Sequence, residues 1–201
     1  MDDLNIDSAI VNQFKIDFVN DKLNYAKRKS GLKTELISRA MGSGKCGLNI
    51  LDLSAGLAVD AIFLSQMGYQ VTSLERNKII FKKLHEAWLQ LPDAAKEKIQ
   101  FIFSDAKDYL LAYSNTFDVI YFDPMFPEKK KSALPKKEMV IFRSLVGDDH
   151  DATSVLELAL QKKNIKRVVV KRPLKAEWLL RKPSHQLLGK LIRFDIYGVT
   201  K

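Results

Sequence analysis

The sequence has little of what disulfide-stabilised, zinc-binding and membrane proteins need. It contains one cysteine, Cys46, and three widely separated histidines. One cysteine cannot form an internal disulfide, and the histidine spacing matches no zinc site. The chain lacks the ~18 consecutive apolar residues of a membrane span, and its acidic start, MDDLNIDSAIVNQF, lacks the basic region of a signal peptide. We therefore expect a cytoplasmic protein with no metal and no membrane partner.

The chain does have an excess of positive charge. Its 201 residues carry 33 Lys and Arg against 24 Asp and Glu, a net charge of +9, and 46% of them are hydrophobic. This apolar content is sufficient for one sizeable core and excludes a disordered or fibrous chain. The positive charge favours an anionic partner, either a nucleic acid or an acidic membrane surface.

From residue 48 onward, apolar runs of strand length alternate with amphipathic helical segments. This alternation is typical of βαβ units, and it predicts an α/β fold with a mostly parallel, doubly wound, Rossmann-like sheet. We predict one domain over 47–201, preceded by an extension or lid over 1–46. Nothing in the sequence indicates an oligomeric state. The predicted strands are 48–53, 70–74, 99–103, 119–122, 167–171 and 191–197, and the predicted helices are 34–41, 59–67, 78–89, 106–112, 136–145 and 153–163.

Candidate ligand-binding residues follow the first three strands, because ligands of such sheets bind beyond the carboxyl ends of the strands. Asp52 is followed by the small residues Ser54 and Gly56, which let a ligand approach the backbone before a helix begins. Glu75 is placed to accept hydrogen bonds from both hydroxyls of an adenosine ribose. Each feature also has a structural alternative: a tight turn for the first loop, and an ion pair with Arg76 for Glu75.

The third strand ends at Ser104 and Asp105. There a carboxylate is placed to bind an adenine amino group, or alternatively to cap the following helix.

The fourth strand carries the most specific motif, Asp123-Pro124-Met125-Phe126-Pro127. It resembles the Asp/Asn-Pro-Pro-aromatic motif of enzymes that methylate exocyclic amino groups of nucleobases. Such an amino nitrogen attacks a methyl group only when it is held in line and its hydrogens point at acceptors. The carboxylate of Asp123 and the carbonyl of Pro124 can be those acceptors, and Phe126 offers a face for stacking the base.

Basic residues concentrate in segments 27–33, 129–137 and 162–182, and we expect two of these to flank the site and bind RNA phosphates. We expect Lys162, Lys163 and Lys166 to lie on a solvated face instead. The acidic residues Asp148, Asp149 and Asp151 could suggest a metal, but we predict that they cap the helix that follows them. The candidate RNA-binding residues are Arg28, Lys129, Lys130, Lys131, Lys136, Lys137, Lys171 and Arg172.

Longer stretches resemble one family. The segments LDLSAGLAVDAIFL, SLERN, DPMFPEKKKSALPKKEMVIFRSLVGDD, KRVVVKRP and RFDIYG are similar to the bacterial ribosomal RNA small subunit methyltransferase J family. The resemblance implies a class I fold and methyl transfer from S-adenosylmethionine to the N2 amino group of a guanosine in 16S rRNA of the small ribosomal subunit. It also implies cofactor contacts at Val59–Asp60, Glu75–Arg76, Ser104–Asp105 and Asp123.

The sequence departs from this family in the first loop. Members usually read Gly-Leu-Gly-Arg-Asp where this chain has Gly56-Leu57-Ala58-Val59-Asp60. A contact from Val59 is therefore restricted to its backbone, and we expect weaker cofactor binding. From the same resemblance, we expect the chain to be shorter than many members by an N-terminal segment.

Three alternatives remain open at this point. The first is an amino methyltransferase acting on adenine N6 in another nucleic acid. The second is a non-catalytic RNA-binding or ribosome assembly factor. The third, a nicotinamide-dependent oxidoreductase, is disfavoured because the second and third glycines of its fingerprint are missing.

Overall fold

The computed structural model describes residues 15–19, 35–42, 47–112, 116–125, 145–147 and 149–199. The helices in these residues are α1 Leu36–Met41, α2 Val59–Gln66, α3 Lys78–Leu89, α4 Asp93–Lys96, α5 Ala106–Ala112 and α6 Ala152–Leu160. The strands are β1 Asn49–Asp52, β2 Gln70–Glu75, β3 Ile99–Phe103, β4 Val119–Phe122, β5 Arg167–Pro173, β6 His185–Leu188 and β7 Ile192–Gly198.

The strands form one sheet in the order β3-β2-β1-β4-β5-β7-β6. The first five are parallel, whereas β7 runs antiparallel to both β5 and β6. The prediction of a mostly parallel, doubly wound sheet is confirmed, and the six predicted strands are all present. Strand β6 was not predicted because it lies at the sheet edge and has no buried residue to produce an apolar pattern.

The helices differ from the prediction in two places. Helix α4 was not predicted, since it is one turn of DAAK with no buried residue. The predicted helix over 136–145 lies outside the described residues apart from its last position, Leu145, which the structure places in a helical turn. The other predicted helices are present, with ends that differ by up to three residues.

Alternating strand residues supply two hydrophobic clusters, one on each face of the sheet. Ile50 and Val71 belong to the cluster that includes residues of α2 and α3, while Leu51 and Leu74 belong to the cluster that includes residues of α5 and α6. Strands covered on both faces read as continuous apolar runs, and this explains why the sequence pattern located them.

The described parts of the predicted N-terminal extension lie in the first of these clusters. Phe18 is 3% exposed, and Ala40 and Met41 of α1 are at most 1% exposed. The guanidinium of Arg167 donates a hydrogen bond of 3.3 Å to the carbonyl of Ala40 and so joins α1 to the start of β5. These parts of the extension therefore contribute to the core.

The sheet order determines where a ligand can bind. Strand β1 lies between β2 and β4. The connection after β1 runs to one side of the sheet and the connection to β4 runs to the other, which opens a crevice at the carboxyl ends of these strands. Among the described residues, no helix has the length and apolar character needed to span a bilayer.

Candidate active site

A cavity of about 1240 Å³ opens at the carboxyl ends of the parallel strands. The residues that follow β1, β2, β3 and β4 all line it, as the strand-end argument predicts. Its described lining contains eight carboxylates and four cationic side chains, although the whole chain is basic. The cavity therefore suits a ligand that carries positive charge and hydroxyl groups. The carboxylates are Asp52, Asp60, Glu75, Asp105, Asp123, Asp149, Asp151 and Glu177.

Asp52 ends β1 and holds the first loop. Its Oδ1 accepts a hydrogen bond from the Ser54 amide at 3.0 Å, and its Oδ2 accepts one from the Ser73 hydroxyl at 2.6 Å. The side chain is buried, and burial raises its pKa to about 7 against the opposing effect of these hydrogen bonds. Ser54 in turn accepts a hydrogen bond of 2.8 Å from the Asp123 amide. The loops after β1 and β4 are thus joined through one hydroxyl.

Glu75 connects the loops after β1 and β2. Its Oε2 accepts a hydrogen bond from the Gly56 amide at 3.1 Å, and its Oε1 accepts one from the Asn77 amide at 2.7 Å. Burial raises its pKa to about 7, while these two amides oppose the increase. A carboxylate oxygen has two acceptor positions, so Glu75 can still bind the hydroxyls of a ribose.

The end of β3 caps a helix and also faces the cavity, while its contact with adenine stays a prediction. Asp105 lines the cavity, and its Oδ1 also accepts a hydrogen bond of 2.8 Å from the Lys107 amide in the first turn of α5. The helix-capping alternative is therefore present, together with exposure to the cavity. Ser104 lines the cavity beside it and donates to the Asp105 carbonyl at 3.0 Å.

Ala58 marks the departure from the family pattern and has an unusual backbone. Its φ is 56° and its ψ is 21°, a left-handed conformation that favours glycine, and it immediately precedes α2. The next residues, Val59 and Asp60, begin the helix and line the cavity. The left-handed backbone at this position explains why glycine is usual there in the family that the sequence resembles.

Lys171 lies at the centre of a network that the sequence did not reveal. Its ammonium is 2.7 Å from Oδ2 of Asp60 and 2.9 Å from Oδ2 of Asp123. The hydroxyl of Tyr121 donates to the same oxygen of Asp60 at 2.5 Å. Burial raises the pKa of Asp123 to about 6, although Lys171 lowers it. The two carboxylates raise the pKa of Lys171 although burial opposes this, so the lysine is cationic at neutral pH.

The prediction that Lys171 and Arg172 bind phosphates does not fit these positions. Lys171 is engaged with two carboxylates inside the cavity. The Arg172 side chain is 7% exposed, and its Nη2 donates to the Glu177 carbonyl at 2.6 Å. Both side chains line the cavity, and these contacts rather than phosphate contacts are what the structure gives for them.

Arg76 also has a different position from the one expected of a cofactor ligand. Its guanidinium pairs with Asp149, with Asp151 at 3.4 Å and with Asp105 at 3.8 Å. Asp149 then accepts a hydrogen bond of 2.6 Å from the Met125 amide. Arg76 therefore fixes the Asp-Pro loop through Asp149, while still lining the cavity.

The predicted helix-capping hydrogen bonds are not observed for the described residues Asp149 and Asp151. Asp151 occupies the N-cap position, but its side chain makes no capping hydrogen bond. The carboxylates of Asp149 and Asp151 bind Arg76 instead, and Asp151 also pairs with Lys107 at 3.3 Å. No spacing rule links Arg76 to residues more than 70 positions away, so only the tertiary structure identifies these pairs. In the described part of the chain, no group of His, Cys, Asp and Glu side chains could hold a metal ion.

Several predicted site residues lie outside the described residues. Among the motif residues, Asp123 and Pro124 line the cavity, whereas the stacking role of Phe126 stays a prediction. The RNA contacts of the N-terminal and 129–137 segments also stay predictions. The residues concerned are Arg28, Phe126, Lys129, Lys130, Lys131, Lys136, Lys137 and Asp148.

Comparisons with known proteins agree with this geometry. Residues 3–199 match a family described as "Putative SAM-dependent methyltransferase". The chain is 44% identical to ribosomal RNA small subunit methyltransferase J of Bdellovibrio bacteriovorus, over 92% of this chain and 74% of the relative. It is 42% identical to the protein of the same name from Thioalkalivibrio sulfidiphilus, over 91% of this chain and 75% of the relative. A crystal structure of a SAM-dependent methyltransferase from Neisseria gonorrhoeae superposes with a TM-score of 0.69, at 28% identity, over 92% of this chain and 74% of that one.

Proposed function

Because the chain belongs to the ribosomal RNA small subunit methyltransferase J family, we propose that it methylates the N2 amino group of a guanosine in 16S rRNA. The fold is that of a Rossmann-like class I methyltransferase, and the cofactor is S-adenosylmethionine. The guanine-N2 target rests on the family resemblance and on the Asp-Pro motif. Ribosomal RNA as the substrate implies a cytoplasmic reaction.

The side chains that line the cavity fit this cofactor. S-adenosylmethionine carries a sulfonium, an ammonium and a ribose diol, and the described lining has twice as many carboxylates as cations. Glu75 is the residue that would hold the ribose, and Asp105 is the residue that would hold the adenine amino group. Asp60 contributes a carboxylate near the first loop, Asp52 accepts the hydrogen bonds that hold this loop, and Val59 contributes its backbone.

The observation that carries the proposal is the position of Asp123. Its amide is bound by Ser54, and its Oδ2 is bound by Lys171, so both the backbone and the carboxylate are held in place. Bound S-adenosylmethionine supplies a methyl group on a positively charged sulfur. Within the described residues the ion pair of Asp123 is made by Oδ2, which leaves Oδ1 to accept a hydrogen bond from the guanine amino group.

Asp123 also suits the proton transfer that the reaction needs. When nitrogen N2 forms its bond to the methyl carbon, the carbon–sulfur bond breaks and the nitrogen must lose one proton. A carboxylate with a pKa of about 6 is ionised at neutral pH and is close enough to that pH to take the proton. The carbonyl of Pro124 accepts from the second amino hydrogen, which fixes the direction of attack.

The test is methyl transfer from labelled S-adenosylmethionine to small ribosomal subunits from a strain that lacks the gene. Nucleosides are then identified by mass spectrometry. We expect label in N2-methylguanosine with the wild type, and none with Asp123→Ala, which should still bind the cofactor in part. Asp108→Ala removes an exposed carboxylate outside the cavity and is the matched control.

Other outcomes separate the alternatives. Label in N6-methyladenosine contradicts the guanine assignment. If the wild type binds S-adenosylmethionine but transfers no label, the substrate is wrong. If it neither binds the cofactor nor transfers label, a non-catalytic RNA-binding role replaces the enzyme.

A further inference from the structure

The segment between β5 and β6, residues 174–184, has no helix or strand and yet is firmly attached to the core. The attachment is made through its carbonyl groups. Nη1 of Arg193 donates to the carbonyls of Leu174 at 2.8 Å and Ala176 at 2.7 Å. Arg193 is 4% exposed and forms an ion pair with the fully buried Asp195, Nε to Oδ1 at 2.9 Å. A buried, paired arginine therefore holds the first part of the segment.

The second part is attached by neutral donors. The Thr153 hydroxyl donates to the Leu179 carbonyl at 3.2 Å, and the Tyr197 hydroxyl donates to the Arg181 carbonyl at 3.0 Å. The backbone of this irregular segment is thus bound along its length to α6, β5 and β7. A surface that is held in one conformation loses little entropy when it binds a partner.

Seven side chains of the same segment are exposed, and they include one aromatic ring and three cations. Trp178 is 49% exposed, although tryptophan is usually mostly buried. Lys175, Arg181 and Lys182 are exposed as well, whereas Glu177 is the one carboxylate of residues 174–184. An exposed aromatic ring among cations is the combination that binds single-stranded nucleic acid, since bases stack on the ring and phosphates pair with the cations.

The segment also adjoins the active site. Lys175, Ala176 and Glu177 line the cavity that contains Asp123, and Trp178 is the next residue in the chain. Nucleotides beside a target base in the cavity would therefore pass over this segment.

We propose that residues 175–182 bind the single-stranded RNA that flanks the target nucleotide, with Trp178 stacking on an unpaired base and Lys175, Arg181 and Lys182 binding phosphates. This proposal rests on the proposed function, because it assumes an RNA substrate for the cavity. In this proposal, phosphate contacts near the site come from residues 175–182 and not from Lys171 and Arg172.

The first experiment uses the full chain and a short single-stranded RNA that contains guanosine. Trp178→Ala should weaken binding of this RNA about tenfold, which is within the range for loss of one stacked base. The control is Leu111→Ala, which truncates a 69% exposed side chain at the end of α5. The fluorescence of Trp178 should also fall when RNA is added, and this fall should be absent in Trp178→Phe.

The second experiment tests the phosphate contacts. Binding is measured over a range of salt concentrations for Arg181→Ala with Lys182→Ala, and for a control that replaces the exposed residues Lys82 and Lys163. Loss of two phosphate contacts should reduce the slope of log K against log salt by about 1.4 in the first variant. The control double variant should keep the wild-type slope.

These measurements separate the surface from the proposed reaction. S-adenosylmethionine binding, measured by calorimetry, should be unchanged in every variant and so shows that each is folded. If the wild type binds RNA through this segment but transfers no methyl group, the proposed function fails and the surface remains. If RNA affinity and the salt slope are both unchanged in the variants, the RNA surface is refuted, and the exposed tryptophan then indicates a protein contact.

Discussion

Replacing Lys171 with methionine tests the reasoning about the active site most directly. The change keeps the length of the side chain and removes the charge that lies within 3 Å of Asp60 and Asp123. Burial raises the pKa of Asp123, and this cation opposes the increase. An opposite charge at such a distance typically shifts a carboxyl pKa by about 1 to 3 units. The pKa of Asp123, about 6 in the wild type, should therefore rise well above neutral.

Such a rise in pKa should lower the activity at neutral pH. With a pKa of about 6, roughly nine tenths of Asp123 is ionised at pH 7; with a pKa of roughly 8, about one tenth is ionised. The rate of methyl transfer should thus fall about tenfold at pH 7 and recover as the pH approaches ~9. Removing one partner from a buried group of charges also costs stability, on the order of 2 kcal/mol after allowance for the partial exposure of these side chains.

The assay is single-turnover methyl transfer between pH 6 and 9. We expect the acid limb of the profile to move upward in Lys171→Met, with Lys171→Arg largely restoring the wild-type profile because it keeps the charge. The control is Lys166→Met, since Lys166 pairs with Asp118 at the opposite end of the same strands. An acid limb at the wild-type pH in Lys171→Met would falsify the idea that the lysine acts through Asp123.

Three further predictions concern the first two loops. Ala58→Gly should stabilise the protein by about 1 kcal/mol in denaturant unfolding, because φ is 56° there; a loss of stability would show that packing of the buried methyl group matters more. Glu75→Gln should weaken S-adenosylmethionine binding at least tenfold in calorimetry. We expect the wild type to bind the cofactor more weakly below about pH 7, where Glu75 is protonated, and this pH dependence should be absent from Glu75→Gln. The exposed Glu86→Gln should show neither effect. The folded-state pKa of Asp52 is raised to about 7, so its contribution to stability is present at low pH and is lost as the pH rises through 7. Between pH 5 and 8 the wild type without cofactor should lose on the order of 2 kcal/mol more stability than Asp52→Asn; equal losses in the two proteins would contradict this.

The sequence by itself determined the fold class and the place of the site. Val168, Val169 and Val170 are fully buried, and such continuous apolar runs indicate strands that are covered on both faces. Parallel strands bring their carboxyl ends to one edge, so the residues after them were predicted to meet, and Asp52, Glu75, Asp105 and Asp123 do line one cavity. These inferences needed only local pattern and a general rule of topology.

The tertiary structure alone decided which side chains are partners. Lys171 is 111 residues from Asp60, and it reaches this carboxylate only because β5 lies beside β4 in the sheet. Charge composition suggested a phosphate contact for Lys171, since a sequence shows the sign of a side chain but not the direction in which a buried strand points it. Arg193 holds the segment after β5 for the same reason, through the antiparallel pairing of β7 with β5. Secondary structure depends on neighbouring residues, whereas contacts between residues far apart in the sequence depend on the order and direction of the strands.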